Sequence, residues 1–217
     1  MTEVLRADFH IHTRYSMDCN TSLEDIINRC LETGINCIAV TDHDAIQGAF
    51  EMKALAPFPV IVAEEILTPQ GEIIGLFLEE GVPFGLPIEE AVARIKAQGA
   101  LACLPHPFDG IRGLRIDGDR LESLAGQIDA MEVFNARSPL LRYSTRAQAF
   151  AMRHGLPGTA GSDAHTASEI GKTYVEMPAF SGRDEFLKAL SQGRVHRHKS
   201  SLLVHLGSTW ARLRNLF

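Results

Sequence analysis

The sequence predicts an α/β fold whose parallel strands close into a barrel. Three observations carry that prediction. Short apolar runs alternate with segments of helical periodicity; four of those runs end in a polar cluster rich in histidine and aspartate; and the clusters are scattered along the chain from Asp8 to His165. Right-handed crossovers put the C-terminal ends of parallel strands on one side of a sheet, and a barrel gathers those ends into one mouth, whereas an open sheet spreads them out. One polar constellation built from distant segments is the expected result.

The first run ends in Asp8-Phe9-His10-Ile11-His12-Thr13. Residues i and i+2 of a strand share a face, so His10 and His12 can close on one ion. Thr21-Ser22-Leu23-Glu24 is a capping-box pattern, and Leu23, Ile26, Ile27, Cys30 and Leu31 recur at helical spacing up to Gly34. Ile35 to Val40 predicts a second buried strand ending in Thr41-Asp42-His43-Asp44, and a weaker helical pattern covers Phe50 to Leu55. Val60-Ile61-Val62 runs into Glu64-Glu65, and Glu72 to Leu78 predicts another strand across a Pro69-Gln70-Gly71 turn. Pro87 opens a helix over Ile88 to Gln98, closed by Gly99, and Leu101 to Leu104 leads into Pro105-His106-Pro107.

Phe108 to Gln127, with four glycines, predicts a surface excursion that borders a pocket, with a short helix near Arg120 to Leu124. Met131 to Phe134 predicts a strand ending at Asn135-Ala136-Arg137, Leu140 to His154 a helix stopped by Gly155, and Gly158 to Gly161 delivers Ser162-Asp163-Ala164-His165. A strand over Thr173 to Met177 and a helix over Asp184 to Leu190 follow. The division expected is one barrel over residues 1–195 and a basic tail over 196–217, with an amphipathic helix at Trp210 to Phe217.

Composition narrows the function classes. With 45% hydrophobic residues in 217, the chain can bury a full core. No apolar run approaches the roughly 20 residues that span a bilayer, and Met1-Thr2-Glu3 lacks the pattern of a secretory signal. A cytoplasmic protein without membrane association is expected. A net charge of -6 argues against a protein that coats nucleic acid. Cys19, Cys30, Cys37 and Cys103 stand singly, as reduced packing residues.

Imidazole and carboxylate together suit Zn2+, Mn2+ or Fe2+, and the absence of cysteine from the clusters points away from a structural zinc site. His10, His12, His43, Glu65, His106, Asp163 and His165 are more candidate ligands than one tetrahedral ion takes, so two to three divalent ions are implied. Glu65 follows a buried strand and has two oxygens to share, although Glu64 serves equally well on spacing alone. His154, His196, His198 and His205 sit in a helix end or the tail and are left out of the set.

His10-x-His12, Thr41-Asp42-His43, Pro105-His106-Pro107 and Gly161-Ser162-Asp163-Ala164-His165 resemble, in order and spacing, the motifs of the PHP (polymerase and histidinol phosphatase) family, over roughly residues 6–175. That resemblance implies a distorted seven-stranded β/α barrel, a trinuclear metal site and phosphoester hydrolysis. It implies one ion on His10, His12, Glu65 and Asp163, a second shared through Glu65 with His106, and a third on His43 and His165, completed by Asp18. Where many members carry a histidine for the second ion, this chain offers Glu72, a carboxylate that favours a harder ion such as Mn2+.

The expected chemistry is attack on phosphorus by a hydroxide shared between two ions, with Asp163 orienting the water. Arg14 and Arg137 are the candidates for phosphate contacts, because a guanidinium fork matches phosphate oxygens. The substrate expected is a small phosphorylated metabolite, a nucleotide or an oligonucleotide end, close to the subgroup that acts on nucleoside bisphosphates or trims short RNA. Two other readings are a metal-dependent amidohydrolase, which wants a bridging lysine absent from the clusters, and a non-catalytic metal-binding or interaction module, although non-catalytic relatives are expected to lose ligands and this chain keeps nearly all.

Overall fold

A computed structural model describes residues 4–200. Seven strands form the barrel: β1 (Val4–Ile11), β2 (Cys37–Val40), β3 (Val60–Thr68), β4 (Gly71–Leu76), β5 (Leu101–Leu104), β6 (Ala130–Asn135) and β7 (Gly158–Gly161). Helices α1 (Leu23–Thr33), α2 (Gln47–Leu55), α3 (Ile88–Ala97), α4 (Gly118–Ala125) and α5 (Leu141–His154) connect them, and β8 (Tyr174–Pro178), α6 (Gly182–Ser191) and β9 (Arg194–His196) complete the described chain. The hydrogen-bonded order is β7-β6-β5-β4-β3-β2-β1-β8-β9. Local signals account for the element ends. The Ser22 hydroxyl accepts from Asp25 N at the start of α1, and Gly34 and Gly155 close α1 and α5 in the left-handed conformation.

The barrel closes where β7 returns to β1. Asp163 N donates to His10 O at 2.8 Å and His12 N to Ala164 O at 2.9 Å. The buried Asp8 carboxylate adds a staple by accepting Ser162 N at 2.9 Å. This seam is only partial, because β8 pairs antiparallel with Val4 to Ala7 and takes the other end of the same β1 edge. Sharing of one edge between β7 and β8 is the distortion of the barrel.

The expected all-parallel sheet is corrected at three strands. β8 and β9 run antiparallel on the outside of the seam, and β4 runs antiparallel to both β3 and β5. The β3–β4 turn spans so few residues that no crossover fits within it, and a hairpin is forced. Reversal of β4 has a consequence for the mouth: its N-terminal residues Gly71 and Glu72, not its C-terminal ones, lie beside the C-terminal ends of the parallel strands. β9, which the sequence pattern does not predict, carries the chain across residue 195, and residues up to Ser200 stay attached through Ser200 N to Ala136 O. The helix expected over Trp210 to Phe217 lies outside the described residues.

Two apolar clusters separate the strand faces. Ile38, Val40, Val62, Ile66, Leu104, Met131 and Val133 meet the apolar faces of α1 to α5, while Ala39, Ala63, Ile74, Cys103, Ala130 and Phe134 pack on the opposite face together with Phe186 of α6. Along β1, Leu5, Ala7 and Phe9 belong to the second cluster but Ile11 to the first. A register shift between Asp8 and Ile11 moves the alternation by one residue, and this bulge re-aims His10 and His12 toward the site. All four cysteines are free and buried. Among the described residues no helix is long and apolar enough to cross a membrane.

Gly161 is fixed by the seam. A Cβ added there overlaps the side chain of His10 and comes within 2.9 Å of its backbone nitrogen. Gly161→Ala is therefore expected to destabilise the fold by about 1–3 kcal/mol through overpacking, read as a lowered denaturant midpoint with an unchanged slope. A midpoint equal to wild type would show that the seam yields to the methyl group.

Candidate metal centre

Each histidine of the motifs arrives on a strand end. His10 lies on β1 and His12 just beyond it; His43 follows β2, His106 follows β5, and Asp163 and His165 follow β7. His106 and Asp163 both have positive φ, 24° and 54°, a region that costs a non-glycine residue energy and is retained at sites where the surroundings enforce it.

Glu65 stands at the centre. Its Oε1 accepts from His106 Nε2 at 3.1 Å and its Oε2 lies 3.2 Å from His10 Nε2 and 3.3 Å from His43 Nδ1. Between the two glutamates left open on spacing, the geometry selects: Glu64 turns away and accepts Val82 N at 2.8 Å. Asp163 Oδ1 lies 3.4 Å from His12 Nε2. Asp18 Oδ2 lies 3.2 Å from His165 Nε2 and 3.6 Å from His43 Nε2, and Glu72 reaches His106 Nε2 at 3.5 Å and His43 Nδ1 at 3.9 Å. The structure thus brings together His10, His12, Asp18, His43, Glu65, Glu72, His106, Asp163 and His165.

Their ligand atoms, together with those of Glu132, fall into four groups compact enough for an ion: His12, Asp18, His43 and His165; His10, His12 and Asp163; His10, His106 and Glu132; and His43, Glu65 and Glu72. Divalent ions fit this donor set. His12 Nε2 and Glu72 Oε2 are buried without a hydrogen-bond partner among the described residues, an expensive state for a polar atom that a cation relieves. Glu132 plays a different part from the other acids, because its carboxylate is already engaged by His10 Nδ1 at 3.1 Å, His106 N at 2.8 Å and Asn135 Nδ2 at 3.0 Å. It fixes the orientation of His10, the arrangement that holds a ligand imidazole in one tautomer.

Neither arginine chosen from sequence faces the cluster as a phosphate ligand. Arg14 is directed away: its half-exposed guanidinium pairs with Glu51 at 3.3 Å and lies 5.7 Å from the Tyr15 ring. Arg137 is brought beside the cluster but behind it, with 3% of its side chain exposed, Nη1 at 2.5 Å from His165 Nδ1 and Nε at 3.5 Å from Glu169 Oε1. It positions His165. A second guanidinium meets the cluster and is the more exposed of the two: Arg112, which contacts Asp163 Oδ2 and, at 3.4 Å, Asn135 Oδ1. Sequence reading missed Arg112, Glu132 and Glu169. Glu132 carried a signal, a charge inside an apolar strand; Arg112, in a glycine-rich loop, carried none.

The protonation states follow from the crowding. Burial, reinforced by the neighbouring His165 and His43, pushes the His12 imidazole down to about 3, so it is neutral and ready to ligate. Burial acts in the same direction on His43, but the Glu65 and Asp18 carboxylates outweigh it and raise that imidazole to about 10. An ion entering beside His43 must expel its proton, because only neutral imidazole ligates. Metal binding near neutral pH is expected to release protons, and metal affinity to rise with pH through about 10, around which His43 loses its proton on its own. Calorimetry in buffers of different ionisation enthalpy measures the release; a pH-independent affinity with no proton released would contradict this assignment.

Comparison with known proteins identifies the family. The PHP domain model matches residues 8–65, which hold His10, His12, Asp18, His43 and Glu65, and the PHP-associated model matches residues 142–195. Two uncharacterized proteins of Methanocaldococcus jannaschii are similar in sequence, one 41% identical over 61% of this chain and 82% of its own length, the other 30% identical over 92% of this chain and 85% of its own length. Among solved structures, a two-domain protein from Bacteroides vulgatus containing a predicted PHP-like metal-dependent phosphoesterase superposes with a TM-score of 0.76 at 18% identity, over 91% of this chain and 66% of that one. With the motif histidines on their strand ends, both models matched and a relative similar over 92% of this chain, the chain belongs to the PHP domain family.

Proposed function

We propose that this protein hydrolyses phosphate esters with the help of two to three divalent metal ions, Mn2+, Zn2+ or Fe2+, held by the cluster around Glu65 and Asp163. The observation that carries the reading is the convergence of five imidazoles with Asp18, Glu65, Glu72 and Asp163 in one mouth, where His12 Nε2 and Glu72 Oε2 are buried without a hydrogen-bond partner among the described residues. The three carboxylates beside His43 and His106 (Asp18, Glu65, Glu72) favour a hard ion, and Mn2+ first among the three.

Bound there, the ions would supply the positive charge that phosphoryl transfer calls for and lower the pKa of water. The chain's own residues do the rest. Glu65, held from three directions by His10, His43 and His106, keeps those rings in one relative placement, and Glu132 keeps His10 in one tautomer. Asp163 is the group suited to orient an attacking water by accepting its hydrogen bond, since the Arg112 guanidinium and His10 outweigh the effect of burial and keep its carboxyl ionised, well below the ordinary range. Phosphoryl transfer gathers charge on several oxygens at once, which a cluster of cations beside a guanidinium suits better than the single oxyanion of amide hydrolysis. The substrate class proposed is a small phosphorylated metabolite, a nucleotide or an oligonucleotide end.

Protein reconstituted with each ion and assayed for inorganic phosphate release over a panel of phosphate monoesters and short oligonucleotides tests the reading. Turnover of N-acyl or lactam substrates without any phosphate release would replace it with the amidohydrolase reading. Asp163→Asn is expected to keep the fold while lowering metal content and kcat, the latter roughly 100-fold or more if it serves the attacking water. Glu72→Gln should weaken metal binding about 10–100-fold, because an amide is a poor ligand, and so raise the Mn2+ required for activity. An unchanged Mn2+ requirement would remove Glu72 from the site.

A further inference from the structure

Arg112 is held in place by a loop built for it. The loop follows His106, and its turn is pinned by Asp109, a buried acid whose Oδ1 accepts Ile111 N at 2.9 Å and whose Oδ2 accepts the Ser138 hydroxyl at 2.9 Å. Gly113 closes the turn by donating to Asp109 O at 2.9 Å, and a Cβ there would lie 2.7 Å from Asp109 N and from Pro107 O. The guanidinium this loop presents has three anionic or polar neighbours: Asp163 Oδ2, Asn135 Oδ1 and, at 3.6 Å, Asp109 Oδ2. It also keeps 28% of its side chain exposed, against 3% for Arg137.

That exposed part faces a space. A cleft of about 180 Å³ runs between the β3–β4 turn and the 111–115 segment, lined by Leu67, Pro69, Glu72, Ile111, Arg112 and Arg115. Glu72 and Arg112 lie at its inner end, where both touch the metal cluster, and Leu67 and Ile111 offer exposed apolar surface along it. An ester placed in the cleft has its phosphorus end at the cluster and its remainder against apolar side chains.

We propose that Arg112 binds the transferring phosphate at the inner end of this cleft, and that the cleft receives the rest of the ester. The inference rests on the phosphoester reading above. Charge supplies the argument: the two carboxylates beside Arg112 are both engaged elsewhere, and Asp109, 3.6 Å away, already accepts Ile111 N and the Ser138 hydroxyl. Asp163 is shared with His10 and His12, at 3.8 and 3.4 Å, and is itself a candidate ligand. A phosphate carries charge enough for both the cations and Arg112, and its oxygens match the planar fork of donors. Asp109 and Asn135 keep that fork oriented across the cleft.

The test measures binding of inorganic phosphate to the metal-reconstituted full-length protein by calorimetry, with metal content determined on the same samples. Arg112→Ala is expected to weaken phosphate binding roughly tenfold or more at unchanged metal content, as for loss of a charge-assisted contact. Arg112→Lys, which keeps the charge but loses the fork, should recover part of it. Arg14→Ala, on the outside of the barrel mouth, should bind phosphate as wild type does. Phosphate affinity equal to wild type in Arg112→Ala overturns the inference. So does a loss in both Arg112 variants that tracks lost metal, since Arg112 would then only hold Asp163. A metal-loaded wild type that binds no phosphate overturns it together with the phosphoester reading. Phosphate binding that depends on Arg112, in a protein that turns over only amides, supports the contact and sinks the reading.

Discussion

The structure depends on keeping an uncommon density of ionisable groups inside a barrel. His10, His12, Glu65, Asp163, His106, Glu132 and Asp8 are all buried. Withdrawing one charged group from water costs several kcal/mol unless its lone pairs and protons are used. Glu65 meets that demand by facing three imidazoles, Asp163 by facing Arg112 and His12, and Glu132 by accepting from two histidines and Asn135. No member of the set is compensated by solvent, so each fixes the position of the next. Removal of any one takes a partner from several buried neighbours at once, which makes the cluster a unit and not a collection of separate ligands.

Such a cluster requires a frame that brings residues from Asp8 to His165 to one place without slack, and the β1–β7 seam supplies it. Two backbone hydrogen bonds and the Asp8 staple are few for a barrel closure, so close approach has to compensate for length. Gly161 permits that approach by leaving room for His10. The same contact therefore closes the fold and sets the distance from the first histidine pair to Asp163 and His165. Fold stability and site geometry are coupled at one glycine.

How much of this was legible follows from the physics of each residue. Strands and helices were readable because their burial leaves periodic patterns: Ser22 and Gly34 mark the ends of α1, Gly155 the end of α5, and each differs from its expected boundary by at most a residue or two. The histidines were readable because an imidazole at the end of an apolar strand has few other uses. Strand direction was harder. Nothing in Glu72 to Leu76 distinguishes an antiparallel strand from a parallel one except the shortness of the turn before it. The arginines were least legible, since a guanidinium reaches far from its backbone, and Arg14, adjacent to a motif in sequence, points to Glu51 while Arg112, in a loop of weak pattern, reaches Asp163. Sequence proximity constrains a short side chain such as aspartate far more than a long one.

The reversal of β4 ties these points together. In an all-parallel barrel, the residue at position 72 would begin a strand at the end opposite the mouth. Because the hairpin turns the chain back at once, Glu72 lies at the mouth, next to His43 and His106, and the turn itself becomes one wall of the cleft that Arg112 faces. One short connection thus adds a carboxylate to the metal cluster and shapes the surface beside it. A carboxylate at position 72 makes the cluster more acidic on the cleft side than an imidazole would. A carboxylate carries a full negative charge where a histidine carries none, so it strengthens the hold on a hard cation and, taken alone, repels an approaching phosphate. Arg112, on the opposite wall, supplies the opposing charge. The pairing of an acidic residue on one wall with a guanidinium on the other keeps the entrance near neutrality while leaving each charge free to act on its own partner.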